Sequence, residues 1–151
     1  MIKIQPMTPA EFFADPYSAE LVEAYRAECA NPDFGITPPP DRNRYEMLHA
    51  CGQMAVFGAF DSGCLVGFIT VLLSPVPHFD GMPLAVVESV FCAQAYRSKG
   101  VGLKLLRAAK EAAANRGAAG LYVSAPVGSR FEALMARLAR RTNSVYFWST
   151  K

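Results

Sequence analysis

The segment from residue 97 to residue 102 joins basic residues to glycines where the pattern changes from strand to helix. It reads Arg97, Ser98, Lys99, Gly100, Val101, Gly102. A helix N-terminus presents unpaired backbone N–H groups and a partial positive charge. Gly100 and Gly102 lack a Cβ, so a ligand can come close to the backbone. The segment therefore suits a phosphate or pyrophosphate. The alternative is a glycine turn whose basic side chains face solvent.

Glu88 is the second residue whose chemistry stands out, because it interrupts the apolar run Leu84 to Cys92. A carboxylate in apolar surroundings is costly unless it has a partner. Glu88 therefore either has a polar partner inside the fold or lies on the solvent side of its strand.

The elements that must position these residues alternate between strand and helix patterns. After Gly102, leucines and alanines recur at helical spacing, which predicts an amphipathic helix. Upstream, residues 54–60 and 64–73 are apolar runs separated by Asp61, Ser62 and Gly63, which predicts a β-hairpin.

The flanking segments complete the predicted order. Upstream lie a strand at Ile2 to Gln5, a helical stretch from Thr8 to Cys29 interrupted near Pro16, a turn-rich loop at Asn31 to Pro40, and a helix from Asp41 to Ala50. Downstream lie a strand at Leu121 to Val127, a helix from Gly128 to Arg140, and a last strand at Ser144 to Trp148. This order predicts an α/β (α+β) fold with a mixed, mostly antiparallel sheet flanked by helices. We find no internal repeat or linker, so residues 1–151 are expected to form a single domain.

Composition narrows the functional classes. Hydrophobic residues make up 52% of the 151 residues and the formal charge is only +2, which favours a globular domain over disorder or a nucleic-acid-binding surface. The four cysteines include no CxxC pair and only two histidines accompany them, so no metal site is expected. No apolar run approaches a membrane span, and a cytoplasmic protein with reduced thiols is expected.

The loop and the strand before it resemble the Gcn5-related N-acetyltransferase (GNAT) family. Its motif, Gln/Arg-x-x-Gly-x-Gly/Ala, follows the fourth strand and opens the next helix, as Arg97 to Gly102 do here. The resemblance covers nearly the whole chain in element order, and residues 86–107 in motif detail. It implies that the substrate is acetyl-coenzyme A, or a close acyl-coenzyme A, and that the acyl group passes to an amine of a small molecule or protein.

The resemblance also implies how the cofactor is held. The backbone amides of Arg97 to Gly102 would bind the coenzyme A pyrophosphate. Backbone groups of Val90, Phe91 and Cys92 would pair with the pantetheine arm. The fourth and fifth strands would splay apart there, with the acyl group in the gap between them.

Catalytic roles follow from the same resemblance. An amine is protonated at neutral pH and needs a base before it can attack, and the family often places a Glu at the position of Glu88. Many members protonate the leaving thiolate with a Tyr in the helix after strand five. That position is Met135 here, and the motif's Asn is Gly128. Tyr122 and Tyr146 are alternative donors, or ordinary packing aromatics, and water is a third source of the proton. Direct transfer in a ternary complex requires no covalent role for Cys92.

Two questions stay open at this stage. Because the Tyr and Asn positions have changed, a non-catalytic acyl-coenzyme A-binding module is the alternative to an enzyme. In the family the acceptor site is formed by segments that correspond to Phe34 to Arg44, Ser74 to Pro83 and Asn143 to Trp148. The last of these suggests a reduced terminal hairpin, which a second subunit could complete in a homodimer.

Overall fold

The structure is a computed structural model that describes residues 1–29, 39–146, 148 and 150, with Phe79 described by its backbone alone. Most of the predicted loop Asn31 to Pro40 therefore lies outside the described residues. Among the described helices, none is both long and apolar enough to cross a membrane.

In the described part of the chain, five strands form one sheet in the order of the sequence. They are β1 (Lys3–Met7), β2 (Met54–Asp61), β3 (Cys64–Pro75), β4 (Pro83–Cys92) and β5 (Leu121–Tyr122). Neighbours from β1 to β4 pair antiparallel, and β4 pairs with β5 in parallel. The predicted mixed, mostly antiparallel sheet is confirmed, as is the predicted hairpin of β2 and β3.

Five α-helices accompany the sheet in the described part of the chain. They are α1 (Pro9–Ala14), α2 (Ser18–Cys29), α3 (Arg42–Ala50), α4 (Val101–Asn115) and α5 (Arg130–Leu138). Thr8 caps α1 in a reciprocal capping box with Glu11, and Asp41 caps α3 through the Arg44 N–H. Such side-chain caps satisfy N–H groups that have no partner within the helix, and each contributes about 1 kcal/mol.

The two faces of the sheet carry separate apolar clusters. Helix α4 covers one face, where Val101, Leu105 and Ala109 are fully buried against β3 and β4. Helices α1, α2 and α3 cover the other face, around Phe12 and Phe68. Each fully buried large apolar side chain contributes roughly 1.5–3 kcal/mol to folding, so the two clusters fix β4 between helices on both sides.

A β-bulge at Glu88 changes the direction of the side chains along β4. Thr70 lies opposite Ser89, but its neighbour Val71 lies opposite Val87, so Glu88 is the extra residue. Before the bulge, Val87 faces the α4 cluster, whereas after it Phe91 faces the opposite cluster. The bulge therefore changes the sheet face toward which the side chains of β4 point. As a result, the adjacent residues Glu88 and Ser89 both contact Thr70.

Strand β5 is shorter than predicted, because only Leu121 and Tyr122 of the predicted run to Val127 are in a strand. They pair with Ala85 and Val86. Among the described residues, β4 has no strand partner on this side from Val87 to Cys92. The predicted splay of strands four and five agrees with this unpaired edge.

The prediction of a last strand at Ser144 to Trp148 is wrong for the residues that the structure describes, which exclude residue 147. Residues 144–146 and 148 have no regular secondary structure. Val145, Tyr146 and Trp148 are 85%, 87% and 93% exposed. A strand gains stability from pairing and from one buried face, and in the described part of the chain this segment has neither.

Candidate active site

Glu88 is the centre of a hydrogen-bonded group that links α3, β3 and β4. The Tyr45 hydroxyl donates to Glu88 Oε2 at 2.8 Å, and the Thr70 hydroxyl donates to the same oxygen at 2.5 Å. The residue is exposed, so its carboxylate is both partnered and open to solvent. The two sequence-based alternatives for Glu88, a polar partner and a solvent-facing position, therefore hold together.

Thr70 connects Glu88 to the backbone of the bulge. Its Oγ1 lies 2.7 Å from Ser89 Oγ and accepts the Ser89 N–H at 3.1 Å. A hydroxyl has one proton to donate. Because Thr70 gives that proton to Glu88, the Ser89 hydroxyl must donate to Thr70. Thr70 and Ser89 are 1% and 6% exposed, and a buried set whose members are all satisfied is rigid.

Tyr45 is a site residue that the sequence reasoning did not find. Burial first, and then the charge and hydrogen bond of Glu88, raise the pKa of Tyr45 well above its usual range. Burial and then Glu88 also raise the pKa of Tyr25. Both phenols therefore stay neutral at ordinary pH, and Tyr45 is a permanent donor to Glu88. No motif marks Tyr45, whereas Thr70 could have been noticed as a polar residue inside an apolar strand.

The glycine loop has the backbone geometry that its sequence predicts. A 3₁₀ turn, Gln94–Lys99, leads into α4, and Gly100 is the N-cap with φ at 73° in the left-handed region. Among the described residues, no side chain caps this end of α4. Apart from the adjoining residues and the backbone of the helix itself, no described part of the protein lies within 4 Å of a Cβ built on Gly100 or Gly102. The first amides of α4 are thus accessible to an anion that approaches this end of the helix.

The two basic side chains of the loop contact other groups of the protein. Arg97 Nη2 lies 2.7 and 2.8 Å from the two Glu28 carboxylate oxygens, and Arg97 Nε donates to the Cys92 carbonyl at 3.0 Å. Lys99 Nζ lies 4.3 Å from the centre of the Tyr96 ring. Glu28 therefore compensates the positive charge of Arg97.

The end of β4 offers backbone groups to its unpaired side. The Ala93 N–H donates to the Val66 carbonyl on β3. Because backbone polar groups alternate in direction along an antiparallel strand, those of Phe91 also point to β3. Those of Val90 and Cys92 point to the unpaired side. Of the predicted pantetheine partners, Val90 and Cys92 thus have backbone groups directed there, although Arg97 already occupies the Cys92 carbonyl.

The Cys92 thiol is buried in the cluster beneath α4. Burial raises the pKa of Cys92, and the nearby Arg97 offsets this only in part. A thiol of raised pKa is a weak nucleophile at neutral pH. These properties agree with direct acyl transfer and with a structural role for Cys92.

Neither predicted proton donor belongs to the hydrogen-bonded Glu88 group. Tyr122 is 47% exposed and pairs with Val86, two residues before Glu88 on β4. Tyr146 is 87% exposed. Neither donates to Glu88 among the described residues. Met135 packs against the α4 cluster from α5.

A separate groove of about 480 Å³ lies between β1, β2 and α4. Ile4, Phe57, Lys104 and Arg107 are among its lining residues. None of the predicted site residues lines this groove, so it is distinct from the Glu88 group and the glycine loop. The described residues contain no group of three or more His, Cys, Asp and Glu side chains able to hold a metal ion.

Several solved structures similar to this one are acetyltransferases. One is a ribosomal-protein-alanine N-acetyltransferase from Brucella melitensis biovar Abortus 2308, with 21% identity over 98% of this chain and 97% of that chain and a TM-score of 0.71. Another is an aminoglycoside acetyltransferase from an uncultured soil metagenomic sample in complex with sisomicin. It has 19% identity over 99% of this chain and 97% of that chain, with a TM-score of 0.74.

A third is AAC(6')-Iy in complex with a bisubstrate analogue that contains coenzyme A, with 19% identity over 100% and 99% of the two chains and a TM-score of 0.70. At these identities the similarity concerns the fold. Among curated proteins, none matches the chain.

Residues 19–134 match the sequence profile of the acetyltransferase (GNAT) family. This match covers more than half of the chain and includes the Glu88 group and the glycine loop. This match confirms the predicted family. It also confirms the predicted enzyme class, N-acetyltransferase, which is that of the family. The chain belongs to the acetyltransferase (GNAT) family.

Proposed function

We propose that this chain transfers the acetyl group of acetyl-coenzyme A to an amine of a small molecule or protein, directly and within a ternary complex. The observation that carries the proposal is that Glu88 lies on β4, the strand whose unpaired edge leads into the open glycine loop. One strand would then position both the base and the cofactor.

For the cofactor, the proposal assigns the pyrophosphate to the backbone amides of Arg97 to Gly102. The uncapped first turn of α4 supports this assignment. The pantetheine arm would lie along β4 at Val90, Phe91 and Cys92, pairing with the backbone of Val90 and the N–H of Cys92 and passing the buried Phe91 side chain. When bound, acetyl-coenzyme A supplies the thioester carbonyl that accepts the amine.

For the chemistry, Glu88 acts as the general base. Its Oε2 accepts two hydroxyl protons, which leaves Oε1 to take a proton from the acceptor ammonium, directly or through water. The neutral amine then forms the new C–N bond as the C–S bond breaks, and the nitrogen releases its second proton to solvent. The thiolate takes its proton from Tyr122, Tyr146 or water. The choice among these three stays a prediction.

The acceptor class can be tested by a panel of amines with the purified protein and acetyl-coenzyme A. The panel includes an aminoglycoside and a peptide that begins with alanine, since similar structures include an aminoglycoside acetyltransferase and a ribosomal-protein-alanine N-acetyltransferase. We expect amine-dependent release of coenzyme A with at least one member. Tight coenzyme A binding without thiol release on any member would instead favour the alternative, a non-catalytic acyl-coenzyme A-binding module.

That alternative is favoured by one specific observation. The family's Asn and Tyr positions are Gly128 and Met135 in this chain, and Met135 packs against the core instead of presenting a hydroxyl. Calorimetry of acetyl-coenzyme A binding, done beside the panel, separates the two candidates. An enzyme binds and turns over, whereas a module only binds.

The proposal extends to a homodimer in the cytoplasm. The exposed Val145, Tyr146 and Trp148 support the dimer, because exposed apolar residues in one segment often mark a contact surface. Four free cysteines support a reducing compartment. Light scattering should give twice the chain mass of 16.4 kDa, and a monomer at working concentration would contradict the dimer.

A further inference from the structure

We propose that the Arg97 side chain is a positioning residue, which ties the C-terminal end of α2 to the end of β4 and does not itself bind the cofactor phosphates. The role of the loop's backbone amides is unaffected. The inference rests on the proposed function only where coenzyme A affinity serves as its readout.

The contacts of Arg97 point away from a phosphate-binding role. Nε donates to the Cys92 carbonyl at 3.0 Å, Nη2 reaches both Glu28 oxygens, and the guanidinium carbon lies 5.3 Å from the centre of the Phe91 ring. A guanidinium is a rigid planar fork. To turn toward the first turn of α4, it would have to release all three partners together.

Glu28 explains why this cation is needed where it lies. It is the residue before the last of α2, and an acid near a helix C-terminus is unfavourable because the last carbonyls carry partial negative charge. The positive charge of Arg97 compensates the partial negative charge of that helix end and the negative charge of the Glu28 carboxylate. The two side chains are 42% and 48% exposed, so solvent weakens the attraction and the arrangement matters more for position than for stability.

The contact of Arg97 with the Cys92 carbonyl connects the α2–β4 tie to the candidate site. The Cys92 carbonyl lies at the end of β4, on the side where the strand is unpaired. Glu28 of α2 holds Arg97, and Arg97 holds the Cys92 carbonyl. Arg97 therefore fixes residues 90–92 relative to α2, which packs on the sheet face opposite α4. Loss of either partner should loosen the segment along which the pantetheine arm would lie.

A double-mutant cycle tests the tie through coenzyme A affinity. Glu28→Gln, Arg97→Gln and the double variant are compared with the unchanged protein by calorimetry. Coupled positions are non-additive, so each single variant should weaken binding by a similar factor, about threefold to tenfold, and the double variant should be no worse. Arg97→Lys should behave like Arg97→Gln, because lysine cannot reach both partners as a fork.

Glu23→Gln is the matched control, since Glu23 lies on the same helix and pairs with Arg26 at 3.4 Å. It should leave the affinity unchanged. The proposal is overturned if Arg97→Gln weakens coenzyme A binding while Glu28→Gln does not. It is equally overturned if Arg97→Lys keeps full affinity, since a point charge would then suffice.

Hydrogen exchange of the ligand-free protein separates this proposal from the proposed function. Glu28→Gln and Arg97→Gln should both speed amide exchange around residues 90–97, and Glu23→Gln should not. If the unchanged protein does not bind coenzyme A but exchange responds in this way, the proposed function fails and the tie stands. Unchanged exchange in both variants would refute the tie.

Discussion

The Tyr45 hydroxyl donates a 2.8 Å hydrogen bond to the Glu88 carboxylate across 43 residues of sequence. Tyr45 comes from α3 and Glu88 from the bulge of β4, so the contact exists only when the helix packs on the sheet. A second donor, Thr70, meets the same oxygen from β3. Three elements thus fix the orientation of one carboxylate, which is the preorganisation that a base requires.

Replacement of Glu88 by Gln should abolish most turnover and leave coenzyme A binding intact. Gln keeps the size of the side chain but cannot take up a proton at neutral pH. The kcat should fall by about 10²- to 10⁴-fold, the usual contribution of a positioned base. Glu111→Gln, an exposed change on α4, is the control and should be neutral. Full turnover of the Glu88 variant across pH would refute the base assignment.

Tyr45→Phe should lower kcat less severely, by about 10-fold, since it removes one hydrogen bond to a charged group. The Phe ring preserves the packing of Tyr45 against Phe13, whose ring centre lies 5.4 Å away. The KM for acetyl-coenzyme A should therefore stay constant. Tyr25→Phe is the comparison, because Tyr25 packs on Phe68 and Phe91. An equal loss in both variants would argue against a specific role for the Tyr45 hydroxyl.

Alkaline pH should destabilise the protein through Tyr45. Its pKa is raised in the folded state by burial, and then by Glu88, so above about pH 10 the unfolded chain loses this proton while the folded chain keeps it. The unfolded state then binds fewer protons, and the free energy of unfolding falls by about 1.4 kcal/mol per pH unit.

The measurement is urea unfolding from pH 8 to pH 11. The unchanged protein should show the additional alkaline slope above pH 10, and Tyr45→Phe should lack it. Below pH 10 the two curves should run parallel. Parallel curves over the whole range would show that Tyr45 titrates alike in the folded and unfolded states.

Gly102 should show opposite effects on stability and on binding. It lies in the first turn of α4 with open space around it. Gly102→Ala should stabilise the fold by about 0.5–1 kcal/mol, because glycine is a poor helix residue. Gly102→Leu should also fold well, but its side chain should cover the first amides and weaken coenzyme A binding. Unaltered affinity in the Leu variant would mean that the cofactor does not approach this turn.

Much of the fold follows from local sequence patterns. The capping box at Thr8, the cap at Asp41, and the hairpin around Asp61 to Gly63 depend on residues only a few positions apart. The prediction of a strand at 144–148 is wrong for the described residues 144–146 and 148. Composition gives a tendency for strand, but a strand also needs a neighbouring edge, and the sequence does not state whether one is available.

The family, the glycine loop before α4 and the isolated Glu88 in an apolar strand are predictable from the sequence. These features are encoded in residue types and short spacings. The contacts of Tyr45 and Thr70 with Glu88, the bulge in β4 and the contact of Glu28 with Arg97 become visible only in the folded structure. Those contacts join residues far apart in the chain, and the packing of helices on both faces of the sheet brings them together.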